Sequence, residues 1–363
     1  MKAITLIDWL TFTVHYWGSD WESVVKEILG MDPNLFLQVP RGRYGYRASA
    51  EYNNIVVYYN GRENAGGDAE GRDMGICISM SGNGCRTYED YAEGNSLITL
   101  AAKLLKMYDE DNLSVNISRV DIAADDIAGV LSLERMLEYL SKRQVNTRIR
   151  KVCENKSYDL GNGNENDSLS FYLGSEKSDF RYRMYDKAKE QGDFEKHWVR
   201  VEMVHKGDYA KGAIRALVEA GDKIGQCVAA MIRSTLLFIE ADNDRIERCS
   251  VAEWWDDFLE TLEMVKNLEK IKSVQKADKI YFWVERQLSR SFAMAQQMFG
   301  QEFIDYICEL GDKNMNENQR TLVCDYMEKR LERHEELHKK RKLELHEKLL
   351  KLLKKASEGA RAA

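Results

Sequence analysis

Arg119-Val120-Asp121-Ile122-Ala123-Ala124-Asp125 alternates charged and apolar residues with a period of two, and Trp198-Val199-Arg200-Val201-Glu202-Met203 does the same. Only an extended strand sends successive side chains to opposite faces, so these runs constrain the fold more than any other feature of the chain. Val120, Ile122 and Ala124 turn to a core, which leaves Arg119, Asp121 and Asp125 on the other side. Val199, Val201 and Met203 likewise leave Arg200 and Glu202 together. Two further runs, Ser168 to Gly174 and Phe180 to Lys187, flank the short polar loop Ser175 to Asp179 and read as a hairpin. Phe180, Tyr182 and Met184 form its apolar side, so Arg181, Arg183 and Tyr185 point the other way, as Tyr172 does on the paired strand.

Strand signals continue through Ala3 to Val14 and Ile55 to Tyr59 and dominate the first 205 residues. Helical spacing interrupts them from Ser19, with a capping-box Glu22, to Leu29, at Ser96 to Tyr108 and at Leu133 to Leu140. After Gly207 the pattern becomes helical: Ala210 to Glu240, Val251 to Ile271, Lys279 to Met298, Gln301 to Leu310 and Asn318 to Leu353. The expected class is α+β, a central antiparallel sheet with flanking helices followed by a helical C-terminal region. The expected division is a catalytic domain over 1–241 and helices over 242–363.

Composition narrows the function. Apolar residues make up 44% of the 363 and charged ones 31%, a globular balance, and no apolar run approaches the roughly 20 residues that cross a bilayer. No export signal is evident at the N-terminus, and seven cysteines are scattered singly, which fits a reducing cytoplasm. A net charge of −7 argues against a protein that simply coats nucleic acid. Local basic stretches remain, including Arg41 to Arg47, Lys142 to Lys151 and Arg181 to Lys189.

If the alternating strands are neighbours, one sheet face gathers carboxylates, arginines and a tyrosine. Such a set suits phosphodiester cleavage: carboxylates hold a hard cation such as Mg²⁺ or Mn²⁺, arginines neutralise the phosphate, and a tyrosine attacks it. The same alternation also describes a solvated sheet surface, and one tyrosine among 18 carries no information by itself.

At these residues the chain resembles the replication initiation factor family, which includes Rep_trans-type rolling-circle initiators and relaxases of integrative conjugative elements. Carrying the resemblance in order are Ile7-Asp8-Trp9-Leu10-Thr11, Arg41-Gly42-x-Tyr44-Gly45-Tyr46, Ser81-Gly82-x-Gly84-Cys85-Arg86 and Arg119-x-Asp121-x-Ala123-x-Asp125. Tyr172-Leu173-Gly174-Ser175, Arg183-x-Tyr185-Asp186-Lys187 and Arg200-Val201-Glu202 follow. The resemblance implies a Rep/relaxase-like fold and a nicking tyrosine at Tyr185, with Arg183 and Lys187 positioning phosphate. It also implies Asp121 and Glu202 as metal ligands, with Asp8 and Asp125 behind them. The implied reaction nicks one strand at an origin or transfer origin, keeps the 5′ end on tyrosine and frees a 3′ hydroxyl for replication or conjugative transfer. The implied partners are DNA, as nic site and single-stranded product, and a helicase. Because a single tyrosine is either reused or joined by that of a second subunit, a homodimer is among the expected assemblies.

Other segments are open to two readings. Arg43, Tyr44 and Tyr46 interleave charge and aromatic rings on a Gly-containing loop, suited to DNA contact together with Arg181 and Arg200, but equally an ordinary turn. Ser81 to Gly84 reads as a tight turn. His334 and His338 lie four apart amid Glu and Lys and read as a solvated face, and no His-hydrophobe-His metal motif occurs among the six histidines. The basic stretch Lys329 to Lys355 suits a partner, DNA or solvent. Besides an active nickase, a catalytically inactive origin-binding protein and a metal-dependent nuclease without a covalent intermediate fit the same residues.

Overall fold

The computed structural model describes residues 3–15, 20–61, 74–91, 94–112, 114–158, 168–191, 196–266, 284, 288–315, 320, 323–324 and 327. The chain divides into two compact units, Met1–Ser273 and Val274–Ala363.

The first unit is built on a ten-stranded sheet in the order β2-β3-β4-β5-β1-β6-β11-β10-β9-β8. Its strands are β1 (Ala3–Val14), β2 (Leu37–Val39), β3 (Tyr46–Tyr52), β4 (Ile55–Gly61), β5 (Ile76–Ser81), β6 (Val115–Asp126), β8 (Val152–Ser157), β9 (Ser168–Leu173), β10 (Phe180–Asp186) and β11 (Val199–Lys206). Every pairing is antiparallel. The expected hairpin is β9 and β10, and the two alternating runs are the adjacent strands β6 and β11. A second, two-stranded sheet joins β7 (Val145–Thr147) to β12 (Leu236–Phe238).

The helices of this unit are α1 (Trp21–Val24), continuing as a π-turn to Leu29, α2 (Gly82–Tyr91), α3 (Leu97–Glu110), α4 (Leu133–Ser141), α5 (Lys187–Glu190), α6 (Asp208–Ala220), α7 (Ile224–Thr235) and α8 (Glu253–Glu263). Asp20 caps α1 through Ser23 N, and Ser132 caps α4 through Arg135 N. The apolar residues of β1, β6, β10 and β11 join those of α3, α4, α6, α7 and α8 in one buried cluster. Helices therefore cover the side carrying Val120, Ile122, Val201 and Met203, as the period-two parity requires.

Three expectations are corrected. The single helix over Ala210 to Glu240 is two helices and a strand: Gly221, at φ 58°, ends α6, and Leu236–Phe238 runs extended to pair with β7. Ser81 to Gly84 is the direct passage from β5 into α2 rather than a tight turn; a Cβ on Gly84 would lie 2.3 Å from the Asn54 carbonyl oxygen, so only glycine lets the helix sit on the β3–β4 turn. The boundary expected at 241/242 falls inside the first unit, because Trp255, Phe258 and Leu262 of α8 are buried in its core. Trp255 packs edge-on against Phe238 with ring centroids 4.8 Å apart.

The second unit contributes helices Ser289–Phe299 and Gln301–Asn314, where helical spacing places them. The basic stretch Lys329 to Lys355, His334, His338 and His346 lie outside the described residues. No described helix is long and apolar enough to cross a membrane.

Candidate active site

The face turned away from the helices holds a polar cluster ordered by strand register. Across β10, β11 and β6, Tyr185 aligns with Arg200 and Asp125, Arg183 with Glu202 and Ala123, and Arg181 with Val204 and Asp121. Side chains in such rows share a face, so the three rows bring residues from 121 to 202 within reach of one another. On the far side of β6, Ile7 pairs with Ile122 and Trp9 with Asp121, leaving Asp8 as the extra residue of a β-bulge. The bulge adds Asp8 to the polar face.

Arg200 is the hub. Only 1% exposed, it donates through Nε and Nη2 to both oxygens of Asp125 at 2.7 and 2.8 Å, and its Nη1 lies 2.9 Å from Asp8 Oδ1. The two carboxylates keep this guanidinium charged despite its burial. Arg200 is thus committed to the sheet, which leaves it almost no surface for the expected contact with DNA. Arg119 forks onto Asp121 in the same way, Nε and Nη2 donating at 2.9 and 2.6 Å, while its guanidinium lies 4.0 Å over the Trp9 ring.

Tyr185 is 4% exposed, and its hydroxyl donates to Glu202 Oε2 at 3.2 Å. Burial, ahead of every other influence, holds the phenol protonated far above the usual tyrosine range; Arg200 opposes this, while Glu202 and Asp8 reinforce it. Glu202 is pushed up to about 7 by burial and then by the charges of Asp121 and Asp8, against the pull of Arg183 and Arg200. Asp121 is raised for the same leading reason, burial, although Arg119 pulls it back. These carboxylates therefore crowd one another in a largely buried site.

A cationic rim borders the tyrosine. The Arg183 guanidinium lies 4.1 Å from the Tyr185 ring centroid and the Lys187 ammonium 5.7 Å from it, while Arg181 and Arg183 both flank Tyr172 at 5.4 and 6.0 Å. Arg183 is about a third exposed, so its charge is open to a ligand. Glu190, on the first turn after β10, pairs with Lys187 and lies 3.8 Å from Arg183.

Of the other expected residues, Arg43 is exposed on the loop before β3, and Tyr44 is 66% exposed at φ 56°. Tyr44 is close enough to weigh electrostatically on Arg119, which links this loop to the site. Tyr46 does not join it. Its ring stacks on Tyr58 and its hydroxyl donates to the Met74 carbonyl, so its place is in a small buried cluster. Asp125 is engaged by Arg200 rather than open to a ligand. Trp9, Glu190 and Arg86 escape the sequence reading of roles. Trp9 and Arg86 stand within quoted motifs, and Glu190 follows Lys187 at the helical i,i+3 spacing.

Among the described residues, no three carboxylate, histidine or cysteine side chains are grouped to enclose a metal ion. Both oxygens of Asp121 are occupied by Arg119. The donor chemistry nonetheless suits a hard cation, since Glu202, Asp121 and Asp8 bring carboxylate oxygens together, and Glu202 and Asp121 are raised first by burial and then by neighbouring carboxylates.

A long antiparallel sheet carries a tyrosine, carboxylates and arginines on the face away from its helices, and a known rolling-circle initiator shares this fold. Residues 115–310 match the replication initiation factor family and residues 4–99 the N-terminal domain of rolling-circle replication initiation proteins. The chain belongs to the replication initiation factor family. It is 27% identical over 272 residues to NicK of Bacillus subtilis (strain 168), a DNA relaxase by name, covering 70% of each chain. The fold is similar to that of a solved rolling-circle replication initiator protein from Geobacillus stearothermophilus, with a TM-score of 0.62 and 25% identity over 74% of this chain and 99% of that one.

Proposed function

We propose that this chain nicks one strand of DNA at an origin or transfer origin, with Tyr185 as nucleophile, and so starts rolling-circle replication or conjugative transfer. The observation that carries the reading is the Tyr185 hydroxyl held on Glu202 Oε2 at 3.2 Å with two cations along its ring. The phenol oxygen attacks the scissile phosphorus, its proton passes to Glu202, and the P–O3′ bond breaks. The 5′ phosphate stays on Tyr185 and the 3′ oxygen leaves as a hydroxyl after taking a proton from solvent. Glu202 is placed for this transfer because its Oε2 already accepts the Tyr185 hydroxyl proton in a hydrogen bond. Arg183 and Lys187 neutralise the phosphate, Arg181 and Tyr172 extend the contact along the strand, and Arg43 and Tyr44 reach it from the opposite side.

Asp121 and Glu202, with Asp8, are the oxygens that would hold Mg²⁺ or Mn²⁺. When bound, the ion would polarise the phosphate, in competition with Arg119 for the charge of Asp121. A helicase acting on the opened strand and a homodimer supplying a second tyrosine belong to the same reading.

Incubating the protein with Mn²⁺ and end-labelled DNA carrying its cognate site tests the proposal. A labelled adduct that survives denaturant and disappears in Tyr185→Phe, with DNA binding retained, is the expected result. Free nicked DNA without adduct instead supports a nuclease without a covalent intermediate, and retention without cleavage an inactive origin-binding protein.

A further inference from the structure

Asp8 owes its place to a break in strand pairing. It has no partner on β6, and pairing with β5 begins only at Trp9. A bulged residue of this kind is free to be re-aimed, and needs something outside the ladder to fix its direction. That something is α2. Arg86, 6% exposed, donates from Nη2 to the Ile7 carbonyl oxygen at 2.6 Å, a charge-assisted bond to the peptide immediately before the bulge. Its Nη1 lies 3.0 Å from Glu89 Oε2, one turn along the helix and also buried. One turn earlier on α2, Gly82 leaves room for the aspartate itself. A Cβ there would fall 3.2 Å from Asp8 Oδ1 and 3.5 Å from Oδ2.

We propose that Arg86 is a positioning residue of the site: through the Ile7 carbonyl it fixes the bulge that delivers Asp8 to Arg200, and Gly82 is the steric allowance that lets the carboxylate arrive. Asp8 in turn touches the guanidinium that anchors Asp125, and its charge is one of those that disfavour ionisation of Glu202. The consequence for cleavage rests on the nicking reading, whereas the contact between α2 and the bulge does not.

Gly82→Ala is the informative variant, since alanine is favoured in a helix and the Asp8 carboxylate is the nearest group its added methyl meets. Displacing that group by a few tenths of an ångström should slow single-turnover nicking on the order of tenfold at saturating DNA, with the Kd for DNA unchanged. In an Asp8→Ala background the same methyl no longer meets the carboxylate, so it should cost no further rate and should raise the unfolding midpoint more than it does in the parent. Arg86→Lys and Arg86→Gln should slow nicking and speed amide hydrogen exchange across residues 5–10, while exchange in α3 is unchanged.

Nicking by Gly82→Ala at the parental rate would overturn the allowance, as would a loss that persists without the Asp8 side chain. Unchanged exchange over residues 5–10 in both Arg86 variants would overturn the anchor. Should Arg86 variants fail to fold, the Gly82–Asp8 cycle decides alone. If the parent shows no nicking at all, the function fails while exchange and unfolding still decide the contact.

Discussion

Tyr185 lies opposite Arg200 and Glu202 opposite Arg183 on the paired strands β10 and β11, and the phenol of Tyr185 reaches one register step diagonally to donate to Glu202 Oε2 at 3.2 Å. The pair is buried, and its ionisation state is consequently tied to folding as well as to chemistry. Both links can be measured.

Glu202 rises from 4.5 to about 7 on folding. A carboxyl raised in this way favours the folded state while protonated; that contribution is complete below 4.5 and is lost as pH climbs through about 7. Glu202→Gln, which cannot ionise, should therefore gain stability relative to the parent between pH 5 and pH 8, on the order of 1–3 kcal/mol. Urea unfolding at the two pH values measures it, and an unchanged difference would show that Glu202 ionises freely. The single-turnover nicking rate of the parent should rise over the same window, and the variant should lose both rate and rise.

Removing Arg200 strands a fully buried carboxylate. Arg200→Ala should cost about 3–5 kcal/mol, because Asp125 loses both of its guanidinium bonds. Chemical denaturation reads the loss. A variant as stable as the parent but weaker on DNA, with a shallower salt dependence, would restore Arg200 to the DNA contacts.

Glu190 occupies the cations that the proposal assigns to phosphate. Glu190→Gln should free Lys187 and Arg183 and tighten single-stranded DNA by about two- to fivefold, the scale of an exposed ion pair. Fluorescence anisotropy across a salt series should also steepen by about one phosphate contact. Equal affinities and slopes would mean that Glu190 does not compete for these cations.

Trp255 tests where the first unit ends. It is 0% exposed and packs on Phe238, so Trp255→Ala should destabilise the unit by about 3–5 kcal/mol. Urea unfolding followed by circular dichroism gives the difference. A near-neutral result would detach α8 from the core and favour the boundary at 241/242.

Period two in β6, β10 and β11 was enough to sort Asp121, Asp125, Arg183, Tyr185, Arg200 and Glu202 onto one face, because side-chain direction in a strand is a local property. Where parity alone was informative, strand and site agree. It fails at Asp8 and Trp9: strict alternation places them on opposite faces, and the bulge opposite Ile122 and Asp121 brings both to the polar side. Tyr46 misled for a related reason. Its composition suits DNA contact, but the ring is buried against Tyr58, a neighbour fixed by sheet pairing. The strand at Leu236–Phe238 was hidden because three residues are too few to show a period, and their partner lies at Val145–Thr147.

The sequence by itself determined the α+β class, which side of each alternating strand is polar and the residue types on it, since all follow from the two-residue repeat and from short-range spacing. Only the tertiary structure decided which carboxylates are bound by arginine and which stand against Tyr185, that Arg200 is buried rather than exposed, and that α2 holds the bulge at Asp8. Those outcomes depend on register between strands far apart in the chain and on the burial it imposes, and neither is encoded in any single stretch of residues.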